Sequence, residues 1–185
     1  MNIQRSLWLV ATLVLGFGTA AMADDSAKAA ARKKEIETSA QTTLDKLTRD
    51  EPEAKELLAK AVGYAVFTVT KGGFIVSGGG GNGVVVDKAT AKHTYMRMGL
   101  GGIGLGIGGQ RYGLVVLFEN QERMDKFIAG GWDSSATAEA AAGKEGKAAR
   151  TTFYDGVAYY QITDKGLMAH ADITGTKFWV NDELR

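Results

Sequence analysis

The sequence predicts an α+β fold: a strongly bent, glycine-rich antiparallel sheet, or a partly closed barrel, packed with two N-terminal helices and one internal helix. Sixteen of the 25 glycines lie between Gly63 and Gly113. Within residues 102–108 glycine alternates with a large aliphatic residue. Because successive side chains on a strand point to opposite faces, this segment is expected to be a strand with one apolar and one bare face. Helical spacing of apolar residues is found before Gly63 and in one short internal segment.

The first residues are typical of an export signal. Arg5 supplies a positive charge, residues 7–18 are apolar, and Ala21-Met22-Ala23 is a small-x-small cleavage site. We expect cleavage after Ala23, the alternative being a retained N-terminal anchor, although the apolar stretch is short for a membrane span. The predicted organisation is a signal peptide over 1–23, a basic amphipathic helix over 24–49 and an α+β domain over 50–185.

Charge and cysteine content restrict the partners and the compartment. Once Arg5 is removed, 21 basic residues balance 21 acidic residues, and a neutral domain argues against nucleic acid as a partner. The chain has no cysteine, which excludes disulfides, thiol catalysis and a lipid-modified N-terminal cysteine. The sequence therefore predicts a protein that is free in the periplasm, or secreted, and that is not a lipoprotein.

Helices are predicted at three places. Over residues 26–48, one narrow apolar stripe recurs at spacings of four, four and three, made by Ile36, Ala40, Leu44 and Leu47. A second helix is expected after Asp50, which is the predicted N-cap, with Pro52 in its first turn. Asn120 is the predicted N-cap of a third helix, which ends at Gly130-Gly131.

From Tyr64 onward the period of the pattern is two, which predicts strands. Asn82-Gly83 predicts a hairpin turn. The apolar residues fall on even positions up to Leu100 and on odd positions from Ile103, so a β-bulge or a sharp bend is expected at Gly101-Gly102. The predicted strands cover residues 64–70, 74–80, 84–86, 96–107, 114–118, 157–163, 167–173 and 177–180.

Several short motifs, in their order and spacing, resemble the SYLF domain family over about Asp50 to Asp182. The motifs are Gly72-Gly73-Phe74 before the 78–83 glycine run, the segments 106–110 and 114–118, Gly130-Gly131-Trp132, and the closing segments 160–167 and 172–176. The resemblance implies a lipid-binding module. Eukaryotic members are associated with phosphoinositides and, in fungi, with actin; bacterial members are associated with the cell envelope. Because this chain is expected to be exported, neither actin nor phosphoinositides are expected partners.

The resemblance also implies that membrane contact is made by a basic N-terminal helix. The matching residues here are Lys28, Arg32, Lys33 and Lys34. Each basic residue near an anionic surface contributes about 1 kcal/mol, so four of them give a weak, salt-sensitive attachment. Replacing Lys33 and Lys34 with glutamate is expected to weaken sedimentation with anionic liposomes. The alternative is an ordinary solvated helix face.

A second set of cations flanks the glycine-rich strands. Arg97 and Arg111 flank the alternating segment, and Lys71 precedes the glycine run. Glycines in turns can direct backbone N–H groups at an anion, so a phosphate or carboxylate head group is a candidate ligand, with its acyl chain over the bare strand face. The alternative is that the glycines only permit tight packing.

The sequence contains no constellation that indicates catalysis. Several segments satisfy G-x-G-x-x-G, but a strand follows them where dinucleotide binding requires a helix. His93 and His170 lack metal-ligand spacing, so neither a metal nor a cofactor is expected. We therefore predict a non-enzymatic lipid- or anionic-membrane-binding protein of the cell envelope. The alternative is a protein-interaction or scaffold module of the periplasm that uses Trp132, Trp179 or residues 136–150.

Overall fold

The computed structural model describes residues 18–73, 76–103, 109–130, 152–167 and 176–185. Predictions about the apolar stretch before Gly18, the alternation at 104–108, Trp132, residues 136–150 and His170 lie outside these ranges. The described elements, in chain order, are α1 (Gly18–Asp50), α2 (Pro52–Lys60), β1 (Gly63–Gly73), β2 (Val76–Asp87), β3 (His93–Ile103), β4 (Gln110–Phe118), α3 (Gln121–Ile128), β5 (Val157–Thr163), β6 (Gly166–Leu167), β7 (Thr176–Val180) and a short 3-10 helix (Asp182–Leu184). The predicted α+β class, with two N-terminal helices and one internal helix, is confirmed.

The seven strands form one antiparallel sheet in the spatial order β6-β5-β4-β1-β2-β3-β7. The first long strand, β1, lies at its centre and pairs with β2 on one side and β4 on the other. β6 and β7 are the two edges and do not pair with each other. The sheet is therefore open, and the alternative of a partly closed barrel is wrong.

Two apolar layers hold the helices on opposite faces of the sheet. The predicted stripe of α1 is buried and packs with α2 against Val66, Val84 and Val115; we call this side the α1 face. α3 covers the other side, the α3 face, where Phe67 packs among the rings of Phe127 and Phe178. Alternate residues of β1 thus serve different layers, as strand geometry requires.

The helix ends agree with the sequence only in part. The Asn120 side chain accepts a hydrogen bond from the Arg123 N–H at 3.0 Å, which confirms the predicted cap of α3. Pro52 does begin α2, but the N-cap is Glu51, which makes no side-chain capping bond. Asp50 is wrong as a cap because α1 continues as far as this residue, whose carboxylate accepts a hydrogen bond from Lys46 at 3.0 Å.

The hairpin predicted at Asn82-Gly83 is wrong, because both residues lie inside β2. Asn82 is opposite Thr68, and Gly83 is opposite Phe67. A Cβ atom at Gly83 would lie 2.4 Å from the Phe67 ring and 2.4 Å from the Val66 carbonyl oxygen. Glycine is thus needed here for close approach within the sheet, and the asparagine that precedes it is an ordinary strand residue.

The bulge predicted at Gly101-Gly102 is also wrong. Pairing between β3 and β2 continues one to one through Gly101 with Gly78 and Gly102 with Ser77, and ends at Ile103 with Val76. The change from even to odd positions therefore needs no extra residue in the described part of β3.

Candidate functional site

A groove lies between the middle of α1 and the glycine-rich parts of β1, β2 and β4. Its volume is about 530 Å³, which is within the usual range of small-molecule sites. The residues that line it are Lys28, Ala31, Arg32, Glu35, Ile36, Ser39, Thr68, Thr70, Gly80, Gly81, Asn82 and Arg111.

The groove exists because the sheet changes from branched apolar residues to short or polar ones beneath α1. Val66 pairs with Val84 and Val115, and all three are buried under the helices. Two residues further along β1, Thr68 pairs with Asn82 on β2 and with Gly113 on β4. The next residue on the same face, Thr70, pairs with Gly80 on β2 and with Arg111 on β4. The side chains in these two rows do not fill the space beneath the helix.

The helical wall of the groove follows one flank of α1. Lys28, Arg32, Glu35 and Ser39 recur at spacings of four, three and four, so they lie in a row beside the buried stripe. The two cations of this row were predicted from the sequence as ligand residues, whereas Glu35 and Ser39 were not. The helical spacing of Glu35 and Ser39 from the two cations could have identified them. The strand residues that face this row could not be identified from the sequence, because this requires the pairing register of the strands.

The groove carries a net positive charge. Three cations, Lys28, Arg32 and Arg111, line it with a single carboxylate, that of Glu35. In the part of the chain that the structure describes, neither Arg32 nor Arg111 forms an ion pair. Two uncompensated guanidinium groups beside one cavity favour an anionic ligand, since planar guanidinium binds phosphate and carboxylate oxygens in a bidentate manner.

The basic cluster of α1 does not form one patch. Lys28 and Arg32 line the groove. The Lys33 ammonium lies 5.2 Å from the centroid of the Tyr95 ring, a cation–π contact on the other side of the helix. Lys34 is exposed and lies about 200° around the helix from Arg32. A helix has too narrow a face to direct four cations in seven residues toward one ligand.

The second predicted set is also divided. Arg111 lines the groove, but Arg97 forms an ion pair with Glu183 of the 3-10 helix. Lys71 follows Thr70 on β1, so strand alternation places it on the α3 face. Three of the seven predicted residues, one from the second set and two from the first, therefore meet at one site.

The backbone contributes less to the groove than the glycine run suggests. Gly80 and Gly81 lie in the middle of β2, which pairs with β1 on one side and β3 on the other. Their N–H groups therefore point along the ladder, and among the residues that the structure describes no glycine turn lies at the groove to hold an anion. Positive charge at the site comes from side chains.

The glycines of the sheet have two different environments. A Cβ atom at Gly79 or Gly81 would lie within 2.4 Å of a backbone carbonyl oxygen of β1, so these positions require glycine for strand packing. At Gly72 and Gly101 a Cβ atom would have no neighbour within 4 Å. Tight packing thus explains the first pair and leaves the second pair as open surface.

A carboxylate on the far side of α1 from the groove fixes the helix to β3. The Glu37 carboxylate accepts a hydrogen bond from the Tyr95 hydroxyl at 2.5 Å and lies 2.8 Å from His93 Nδ1. These hydrogen bonds, that of Tyr95 first, lower the pKa of Glu37. Burial, followed by the hydrogen bond to Glu37, raises the pKa of Tyr95 to about 12.

Acid is expected to loosen this attachment. Because the pKa of Glu37 is lower in the folded protein, the ionised carboxylate stabilises the fold above its usual value of 4.5, and this contribution is lost as the pH falls below that value. We expect the urea concentration at the unfolding midpoint to decrease as the pH is lowered from 5 to 3, and to decrease more in the wild type than in Glu37→Gln. The variant has no titratable carboxylate at position 37. Equal pH dependence of the two proteins would contradict this role.

Within the described ranges, no helix has both the length and the hydropathy needed to cross a membrane. The same residues contain no cluster of three or more histidine or acidic side chains with the geometry of a metal site.

Comparison with known proteins identifies the family. Residues 99–184 match the family model described as "Ysc84: Las17-binding protein actin regulator". The chain is also 42% identical over 149 residues to Beta cell expansion factor A of Aeromonas veronii; the match covers 80% of this chain and 57% of that relative. The chain thus spans little more than half the length of its curated relative. Neither name is that of an enzyme. Residues 99–184 thus form a domain of the Ysc84 (SYLF) family.

Proposed function

We propose that this protein is a non-enzymatic lipid-binding protein that attaches to anionic membrane surfaces of the bacterial cell envelope. The observation that carries the proposal is the groove lined by Lys28, Arg32 and Arg111, in which both guanidinium groups lack an ion-pair partner among the described residues. A phosphate or carboxylate head group supplies the charge that this groove lacks.

The expected affinity is modest and depends on salt. Three cations near an anionic surface contribute about 3 kcal/mol together, which corresponds to a little over a hundredfold in the binding constant. Because such charges are screened within a Debye length, binding is expected to weaken between 50 and 300 mM salt. A neutral vesicle should bind far less at any salt concentration.

Reversing the two arginine charges is the direct test. We expect Arg32→Glu with Arg111→Glu to raise the dissociation constant for vesicles that contain phosphatidylglycerol by at least roughly 30-fold, since two contributions of about 1 kcal/mol each are lost. The measurement is co-sedimentation with large vesicles at low salt.

A matched control separates the groove from overall charge. Lys55→Glu with Lys60→Glu changes the net charge by the same amount at two exposed positions of α2 outside the groove. This variant is expected to bind within about threefold of the wild type, because neither position lines the groove. If the control loses as much binding as the arginine variant, the helix surface and not the groove makes the contact.

The periplasm is the proposed location. The support is the signal-like N terminus, with its basic residue, apolar stretch and Ala21-Met22-Ala23 site. Intact mass measurement of the protein recovered from a periplasmic fraction should give a chain that begins at Asp24. A chain that keeps its first 23 residues and fractionates with the inner membrane would favour the retained anchor instead.

A second candidate function is a protein-interaction module. Trp179 is 45% exposed and lies on β7, an edge strand whose outer side is unpaired in the described sheet. Exposed aromatic residues beside a free strand edge are typical of protein contacts. This alternative predicts that Trp179→Ser abolishes capture of a specific envelope protein and leaves vesicle binding unchanged.

A further inference from the structure

Several polar groups in the groove have no hydrogen-bond partner among the described residues. They are the hydroxyls of Ser39, Thr68 and Thr70 and the side-chain amide of Asn82. A hydroxyl offers one donor and two acceptor positions, and an amide offers both kinds of group. The two arginines, by contrast, only donate. The groove therefore presents acceptors as well as donors to whatever occupies it.

A smaller cavity of about 260 Å³ continues the groove and shares Ser39, Thr68 and Arg111 with it. Three hydroxyls that line this cavity already donate to α1 carbonyl groups: Thr38 to Lys34 at 2.8 Å, and Thr42 to Thr38 and Thr43 to Ser39, both at 2.9 Å. Their lone pairs remain, so toward a ligand these hydroxyls act as acceptors. Arg111 thus lies between two regions that can accept hydrogen bonds.

This arrangement distinguishes between anionic head groups. A simple phosphate diester presents acceptors, which satisfy the arginines and leave the serine, threonine and asparagine acceptors unused. A phosphate that carries a polyol presents acceptors to the arginines and hydroxyl donors to the remaining groups. When a ligand displaces the water from a polar group and makes no hydrogen bond to it, binding becomes weaker. The phosphate that carries a polyol is therefore favoured over the simple diester.

We propose that the groove selects anionic lipids whose phosphate carries a glycerol-like polyol head group, as in phosphatidylglycerol. Arg32 and Arg111 bind the phosphate, and Ser39, Thr68 and Asn82 bind the hydroxyls of the head group. The inference rests on the lipid-binding function proposed above and names its ligand class.

Two lipids of equal charge provide the test. Phosphatidylglycerol and phosphatidylmethanol are both diesters with one negative charge, and only the first has head-group hydroxyls. We expect vesicles with phosphatidylglycerol to bind the full chain about tenfold more tightly, the effect of one or two net hydrogen bonds. Soluble glycerophosphoglycerol should compete for binding at concentrations at which inorganic phosphate does not.

A double variant tests whether the hydroxyl groups of the groove cause the preference for phosphatidylglycerol. Ser39→Ala with Thr68→Val is expected to bind both vesicles with the affinity that the wild type has for phosphatidylmethanol. Thr48→Val, on the same helix and outside both cavities, should keep the tenfold preference.

The outcomes separate the two proposals. Equal affinity of the wild type for both vesicles overturns the head-group selection and leaves lipid binding intact. Absence of binding to every anionic vesicle overturns both proposals. Binding of soluble glycerophosphoglycerol without vesicle binding makes the ligand a free polyol phosphate and overturns the assignment to a lipid.

Discussion

Phe67→Ala should lower the free energy of unfolding by about 3–5 kcal/mol, the usual cost of truncating a fully buried phenylalanine. The Phe67 side chain is fully buried at the centre of the α3 face. Its ring centroid lies 5.1 Å from that of Phe178 and 6.1 Å from that of Phe127, so one truncation weakens contacts to β7 and to α3. For a chain of this size the melting temperature should fall by at least about 6 °C.

The measurement is urea unfolding followed by circular dichroism, with Tyr154→Ala as the control. Tyr154 is 56% exposed, so its truncation removes little buried area and should change stability by less than about 1 kcal/mol. Similar losses in the two variants would mean that the aromatic cluster is not the main core of the α3 face.

A pair of glycine substitutions is expected to give opposite results. At Gly81 an added Cβ would lie 2.4 Å from the Thr68 carbonyl oxygen and 3.2 Å from the Val69 Cα. These neighbours are backbone atoms of β1, so the central strand pair must shift, and Gly81→Ala should cost about 2–3 kcal/mol. At Gly101 an added Cβ has no neighbour within 4 Å. Gly101→Ala should therefore be neutral or slightly stabilising.

The comparison is made by thermal unfolding of both variants and the wild type in one buffer. Equal destabilisation by the two substitutions would show that the glycines act through backbone flexibility. Equal neutrality would show that the strands separate easily, and the tight approach of β2 to β1 would then have no structural role.

The sequence correctly predicted the elements that depend on local spacing or on packing against a single neighbouring surface. The spacing of Ile36, Ala40, Leu44 and Leu47 located the buried face of α1 because a single helix face meets a single sheet. Val157–Thr163 was predicted with the bounds that β5 has. The side chain of Asn120 caps α3 as expected because a cap depends on residues only three positions apart.

The predictions that failed depend on partners that are distant in sequence. Asn82-Gly83 has the local pattern of a hairpin turn, but β1 extends over eleven residues and pairs with β2 through both positions. The energy of these long-range pairs outweighs the local turn preference, and the Phe67 ring occupies the space that a side chain at Gly83 would need. The sequence of β2 alone does not reveal this pairing, because the residues that cause it lie on β1.

The candidate site illustrates the same division. The sequence identified Lys28, Arg32 and Arg111 as candidate ligand residues, in two separate sets. Only the register between β1 and β4, together with the position of α1 above them, places Arg111 beside the helix and removes Arg97 and Lys71 from the site.

By itself, the sequence determined the α+β class, the buried stripe of the first helix, the resemblance to the SYLF domain family and the presence of cations near glycine-rich strands. The tertiary structure alone decided that the sheet is open, that β2 is one strand, and that three of the seven predicted cations share a groove with hydroxyls that have no hydrogen-bond partner among the described residues. The physical reason is that periodicity and caps are local properties of the chain, whereas a cavity forms where two distant segments pack and their side chains are too short to meet.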